Sequence, residues 1–158
     1  MLRLTALIHT HNDARRLGRC LETVYPCDEI VVVDHGSVDR TIDVALEYGA
    51  RIVPGSKDFR LQDYLRADEN WVLCLDPHES LTERLAASLF EWKLQASVTS
   101  STAFAIPLRE ETSQGWVDQR ATETRLVPSD WQRWNGHLPH DTLGALVLEG
   151  ELLRFHFP

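Results

Sequence analysis

The stretch WVLCLDPHES, residues 71–80, is apolar as far as Leu75 and then breaks into Asp76, Pro77, His78 and Glu79. Asp, His and Glu side chains each hold metal ions or protons, and all three follow directly on what reads as a buried strand. Residues at i and i+2 past a strand end can converge on one ion, so Asp76 with His78 forms a candidate metal pair. Two other stretches end in the same manner. LRLTALIH gives way to Thr10, His11 and Asn12 after His9, and EIVVVD ends in Asp34, with Gly36, Ser37 and Asp39 close behind. Each has an ordinary alternative. Asp34 suits a turn or a helix cap, Asp39 suits the positive end of a helix dipole, and the His9-x-His11 pair reads as incidental.

Such residues act together only if the chain brings the strand ends together. Leu2–His9 reads as a strand, and Leu17, Leu21 and Val24 then fall at helical spacing, with Asn12 as N-cap. Glu29–Asp34 is a β-branched strand of the kind covered on both faces. Ser37 is expected to cap a helix carrying Ile42, Ala45 and Leu46, with Gly49 at its left-handed C-terminus. ARIV is the third strand. This β-α-β-α-β order calls for right-handed crossovers and a parallel sheet, so the fold class is α/β. Beyond it we expect a short helix over residues 62–67, the strand WVLCLD, and a helix opened by a Ser80–Glu83 capping box. A strand over Ser101–Leu108 and short antiparallel strands in WVDQRATETRLVP come next. SDWQRWNGHLPHDTL reads as a loop and GALVLEGELLRFHF as a strand or hairpin. One domain is expected over residues 1–158, regular to about residue 80 and less regular after it.

The chain has 158 residues, 43% of them hydrophobic, and a formal net charge of −8. That acidity excludes a nucleic-acid groove, which needs a basic footprint. Cys20, Cys27 and Cys74 are too sparse for a disulfide framework and read as reduced thiols. Met1 leads almost at once into the first strand, so no leader is expected, and no apolar run reaches the ~20 residues of a membrane helix. The expected location is cytoplasmic, with peripheral contact at the inner membrane face.

The segment from Leu4 to Val53 resembles the opening of the family 2 glycosyltransferases. Thr10 and Asn12 match that family's first turn, and Asp34, Gly36, Ser37 and Asp39 match its Asp-x-Gly-Ser-x-Asp motif. WVLCLDPHES is similar to its Asp-x-Asp stretch, particularly in the small lipopolysaccharide-core type, and ETRLVPSDWQRWNGHLPHDTL resembles the later Arg-Leu and His-Glu motifs. The resemblance runs to about Phe157. It implies the GT-A nucleotide-diphospho-sugar transferase fold, a nucleotide-sugar donor, and a saccharide or lipid-linked acceptor. Thr10, Asn12, Asp34, Asp39 and Asp76 would bind the donor. A divalent metal, Mn²⁺ or Mg²⁺, would assist departure of the diphosphate. The proton of the acceptor hydroxyl would pass to Asp141 or Glu79.

The sequence also departs from the family. Asp-x-Asp has become Asp76-Pro77-His78, which resembles the polypeptide N-acetylgalactosaminyltransferases; these add a later His, for which His156 is the candidate. His140-Asp141 replaces His-Glu, and Asp63 stands where a basic residue is common. A non-catalytic nucleotide-sugar-binding relative is the main alternative. A metal-dependent hydrolase built on His9 and His11 is another, but that chemistry usually sits on barrels of about 250 residues. A dinucleotide-binding site is disfavoured because HTHNDARR lacks glycine.

Overall fold

The first strand, β1 (Leu4–Thr10), lies between β2 (Glu29–Asp34) and β4 (Trp71–Leu75) and is parallel to both. The structure is a computed structural model and describes residues 2–58, 60–95, 102–119, 121–141 and 145–158. Outside β2 lies β3 (Arg51–Pro54), also parallel. Outside β4 the sheet reverses. The antiparallel β9 (Glu123–Pro128) follows, then β6 (Phe104–Ile106), with β12 (Leu146–Val147) completing a seven-stranded sheet.

Side-chain alternation explains why these strands are so apolar. Leu4, Ala6, Ile8, Val32, Leu73 and Leu75 face one layer, with Leu17 and Leu21 of α1 (Ala14–Leu21) and Leu85 and Leu89 of α4 (Glu83–Leu94). Leu7, Val31, Val33, Val72 and Cys74 face the other, against Trp131 and the Leu61 and Tyr64 of α3 (Leu61–Tyr64). Both faces are covered, so neither can alternate with polar residues. Between β2 and β3 runs α2 (Thr41–Glu47), after which Gly49 takes φ of 76°, the left-handed closure read from the sequence.

A second sheet, unforeseen in the sequence, has the order β5-β13-β7-β8, from Glu79–Leu81, Leu152–Arg154, Leu108–Thr112 and Gly115–Asp118. It changes several expectations. Ser80 lies inside β5 and donates to the Arg19 carbonyl, while the cap of α4 is Thr82, whose hydroxyl accepts from the Leu85 N–H at 3.2 Å. The C-terminal stretch is not a hairpin, because β12 and β13 join different sheets. The expected strand over 101–108 divides into β6 and β7; Ser101 lies outside the described residues. The expected 129–143 loop contains the antiparallel pair β10 (Trp134–Asn135) and β11 (Leu138–Pro139), joined by Gly136-His137.

The three cysteines are free, and burial pushes the thiols of Cys27 and Cys74 up to about 12. No helix among the described residues is long and apolar enough to cross a membrane.

Candidate functional site

The carboxyl ends of β1, β2 and β3 are level, with Thr10 paired to Asp34 and Asp34 to Pro54. On the other side of β1, Leu75 ends β4 opposite Ile8, and the chain continues into Asp76. Thr10, Asp34 and Asp76 therefore share one edge of the sheet, the edge at which open α/β sheets bind ligands.

Asp34 is 7% exposed. Its Oδ1 accepts from the hydroxyls of Thr10 (2.9 Å) and Ser37 (2.6 Å), and its Oδ2 from the Ser37 N–H (2.9 Å). Burial opposes the charged form, but these bonds, with His35 nearby, outweigh it and hold the carboxyl below the usual aspartate range. Asp34 thus braces the β2–α2 turn. It also lines an open depression of about 630 Å³, together with His35, Gly36, residues 54–57, Gly136 and His137.

Asn12 and Asp39 do something else. Asn12 sits at φ of 54°, outside the cap position assigned to it; its N–H donates to Ser37 Oγ and its Oδ1 accepts from the Val38 N–H. Asp39 accepts from the Thr41 hydroxyl and N–H and from the Ala14 N–H. These bonds staple the β1–α1 loop to the β2–α2 loop, and neither residue lines the Asp34 depression. The cap expected from Ser37 is likewise absent, since its hydroxyl serves Asp34 and α2 starts at Thr41.

Asp76 and His78 do come together. Asp76 Oδ1 accepts the His78 N–H at 2.9 Å and pairs with His78 Nδ1. Both side chains remain accessible, 41% and 32% exposed. An ion shared by the two would take the place of the proton between Asp76 Oδ1 and His78 Nδ1. One carboxylate and one imidazole suit a divalent ion of the Mn²⁺ or Zn²⁺ type better than Mg²⁺.

Two sequence expectations fail here. Glu79 is fully buried, held by Arg125 through both carboxylate oxygens and by Arg154 at 3.0 Å, and Oε1 also accepts the Asp76 N–H. A carboxylate sealed between two guanidinium groups cannot approach a substrate hydroxyl, so Glu79 is a structural anchor and not a base. His156 does not join Asp76 and His78, because its Nε2 lies 2.6 Å from Glu110 Oε1. Asp141 stands in a different hollow, with Glu123, Asn135 and His140, and its Oδ1 lies 3.4 Å from Arg133 Nη2. Thr142, Leu143 and Gly144, which follow Asp141, lie outside the described residues.

Sequence reading missed a histidine trio. His9 Nδ1 is 2.8 Å from His35 Nε2, and His137 stacks on His9 with ring centroids 3.9 Å apart. Burial, with His137 and His35 adding to it, pushes His9 down to about 3, so its ring is neutral at physiological pH. The available signals were His35 inside the Asp-His-Gly-Ser turn and His137 inside Asn-Gly-His-Leu.

A mostly parallel sheet, one reversed strand and a carboxyl-edge site carrying Asp34 and Asp76 make up the GT-A fold. Residues 5–144 match the model of the family described as Glycosyl transferase family 2, and the chain belongs to that family. A TPR repeat-containing protein of Synechococcus elongatus is 34% identical over 123 residues, covering 74% of this chain and 30% of that protein. The lipopolysaccharide core biosynthesis glycosyltransferase LpsC of Rhizobium meliloti is 31% identical over 102 residues, covering 57% of this chain and 37% of LpsC. This chain thus spans about a third of the length of these relatives. Among solved structures, glucosyl-3-phosphoglycerate synthase of Mycobacterium tuberculosis, in complex with Mn²⁺, uridine diphosphate and phosphoglyceric acid, superposes with a TM-score of 0.51. It is 14% identical, over 72% of this chain and 45% of that one.

Proposed function

We propose that the chain binds a nucleotide-diphospho-sugar and moves its sugar to an acceptor hydroxyl, with inversion at the sugar carbon, in cell-surface polysaccharide or lipopolysaccharide synthesis. The supporting observation is the common edge shared by Thr10, Asp34 and Asp76, with the accessible Asp76–His78 pair beside the end of β4. LpsC, a relative named for lipopolysaccharide core biosynthesis, supports the pathway. The relative solved with Mn²⁺ and uridine diphosphate supports the ligand class.

In this reading the nucleoside lies in the depression lined by Asp34, His35 and the 54–57 turn, and the diphosphate points toward Asp76. Asp76 and His78 would hold a divalent metal, which when bound neutralises charge on the leaving diphosphate. Asp141 takes the proton of the attacking hydroxyl, and Arg133 orients its carboxylate. The acceptor is a saccharide or a lipid-linked saccharide. The protein works in the cytoplasm, at the inner membrane face when the acceptor is lipid-linked.

A melting-temperature screen of nucleoside diphosphates with Mn²⁺ or Mg²⁺ tests the reading. A ligand that binds only the folded state raises the melting temperature by mass action. A metal-dependent rise with one nucleotide is expected; no rise with any combination overturns the proposal.

A further inference from the structure

We propose that His9, His35 and His137 form a second metal site, selective for zinc-like transition ions and separate from the Asp76–His78 pair. Three chain segments far apart in sequence bring these imidazoles to the carboxyl edge of the sheet. One ring nitrogen from each lies within 4.8 Å of those of the other two, and they are the group of three or more metal-capable side chains that does so among the described residues.

The local backbone is built to let them meet. A Cβ on Gly55 would collide with the His35 ring, so a glycine there leaves the ring its place. Gly136, at φ of 63°, forms the two-residue turn that folds His137 back over His9 and His35. His9 also packs against Tyr64, whose ring centroid lies 5.8 Å away in a T-shaped contact.

Coordination needs modest adjustment. Tetrahedral Zn²⁺ with nitrogen ligands at about 2.0–2.1 Å places those nitrogens about 3.3 Å apart. The 2.8 Å between His9 Nδ1 and His35 Nε2 would open slightly, with the ion replacing a shared proton. The His137 ring lies within 10° of parallel to His9 and must turn its edge inward. His137 is the exposed member of the trio, so it has room to turn. An all-imidazole set selects Zn²⁺, Co²⁺, Ni²⁺ or Cu²⁺ over Mg²⁺, Ca²⁺ or Mn²⁺, which favour oxygen. His35 and His137 line the open depression, and a set of three protein ligands leaves a fourth position there for water or an anionic ligand.

This inference does not depend on the transferase reading, and its test uses no nucleotide. The chain, without a polyhistidine tag and stripped of metal, is titrated with Co²⁺ and followed by visible absorption, and with Zn²⁺ by calorimetry. One equivalent of each should bind tightly, with any uptake by the two-ligand Asp76–His78 pair far weaker, and the tight event should give the intense ligand-field bands of tetrahedral Co²⁺ without a sulfur-to-cobalt charge-transfer band. His35→Ala and His137→Ala should each weaken Zn²⁺ binding by about 100-fold or more. Asp76→Ala should leave it unchanged. Circular dichroism melts with chelator present establish that each variant is folded; if His35→Ala is not, His137→Ala alone decides, its side chain being exposed. Tight Zn²⁺ binding that survives in folded His137→Ala overturns the proposal, as does loss of the tight event in Asp76→Ala or a charge-transfer band. The trio would then be a stack of imidazoles without a metal role.

Discussion

Arg125 and Glu79 are both 0% exposed and face each other through two hydrogen bonds, one of them 2.8 Å long. Arg154 and Glu123 extend the pair into a four-member network joining β9, β5 and β13, so it ties the large sheet to the small one. The carboxylates keep Arg125 protonated above the usual arginine range, although its burial works the other way.

Glu79→Ala should therefore be severely destabilising. It strands a buried guanidinium, and breaking a buried pair from one side costs about 3–5 kcal/mol. Glu79→Gln, which keeps the shape and part of the hydrogen bonding, should cost less. Urea melts of the two variants check this. Near-native stability of Glu79→Ala would show that the network is not holding the sheets together.

Gly150 should tolerate no side chain. Its φ is 97°, and a Cβ there would run into the Leu85 backbone at the start of α4. Gly150→Ala combines left-handed strain with a backbone clash, so the loss should exceed the about 1 kcal/mol that a compatible substitution changes. A denaturation midpoint unchanged from the parent would contradict the close approach of this turn to α4.

Much of the carboxyl edge of the sheet was legible in the sequence because its signals are local. Buried parallel strands are written as short β-branched runs, and β1, β2 and β4 each end in a polar turn that marks the edge. The second sheet was not legible. Glu79–Leu81 pairs with Leu152–Arg154, more than seventy positions away, and no local pattern encodes that partner. The Ser80–Glu83 spacing imitated a capping box while Thr82 did the capping. The β10–β11 turn could have been read, since a glycine at the first position of a two-residue loop, here Gly136-His137, is a hairpin signal. Asp76 and His78 were found because they are neighbours. His9, His35 and His137 were not, because only the folded chain brings them together.

Acid should act partly through Asp28. Burial disfavours its charge, but the hydrogen bonds from Lys93 (2.9 Å) and the Leu4 N–H (2.9 Å), with the charges of Lys93 and Arg3, hold its pKa below the usual value. A folded-state pKa below the unfolded one means stability that is complete above about pH 4 and lost as pH falls through the folded value. Asp28→Asn should lower the melting temperature at pH 7 and flatten its fall on the acid side. Parallel curves for parent and variant would rule the residue out.

Asp76→Ala should abolish metal-dependent nucleotide binding with little loss of folding, because the side chain is accessible and its hydrogen-bond partner is the neighbouring His78. Calorimetry with uridine diphosphate and Mn²⁺ gives the answer. Unchanged affinity would remove Asp76 from the metal site.

The base assignment rests on Asp141. Direct attack on the sugar carbon needs a carboxylate on the acceptor side, opposite the leaving diphosphate, to take the hydroxyl proton as the bond forms. Glu79, the other candidate from sequence, is sealed between Arg125 and Arg154. Asp141 instead lines an open hollow with Glu123, Asn135 and His140. Its side chain is 9% exposed, and Arg133 lies 3.4 Å from Oδ1, an arrangement that fixes the carboxylate while Arg133 itself stays accessible. Asp141→Asn keeps the shape and removes the basicity. A general base contributes about 10²- to 10⁴-fold, so turnover by the whole protein should fall by that order with nucleotide affinity unchanged. Arg133→Gln should lower turnover less, since it loosens the carboxylate without removing it. Unaffected turnover in Asp141→Asn would end the assignment. A parallel collapse of donor binding would place Asp141 with the metal ligands instead.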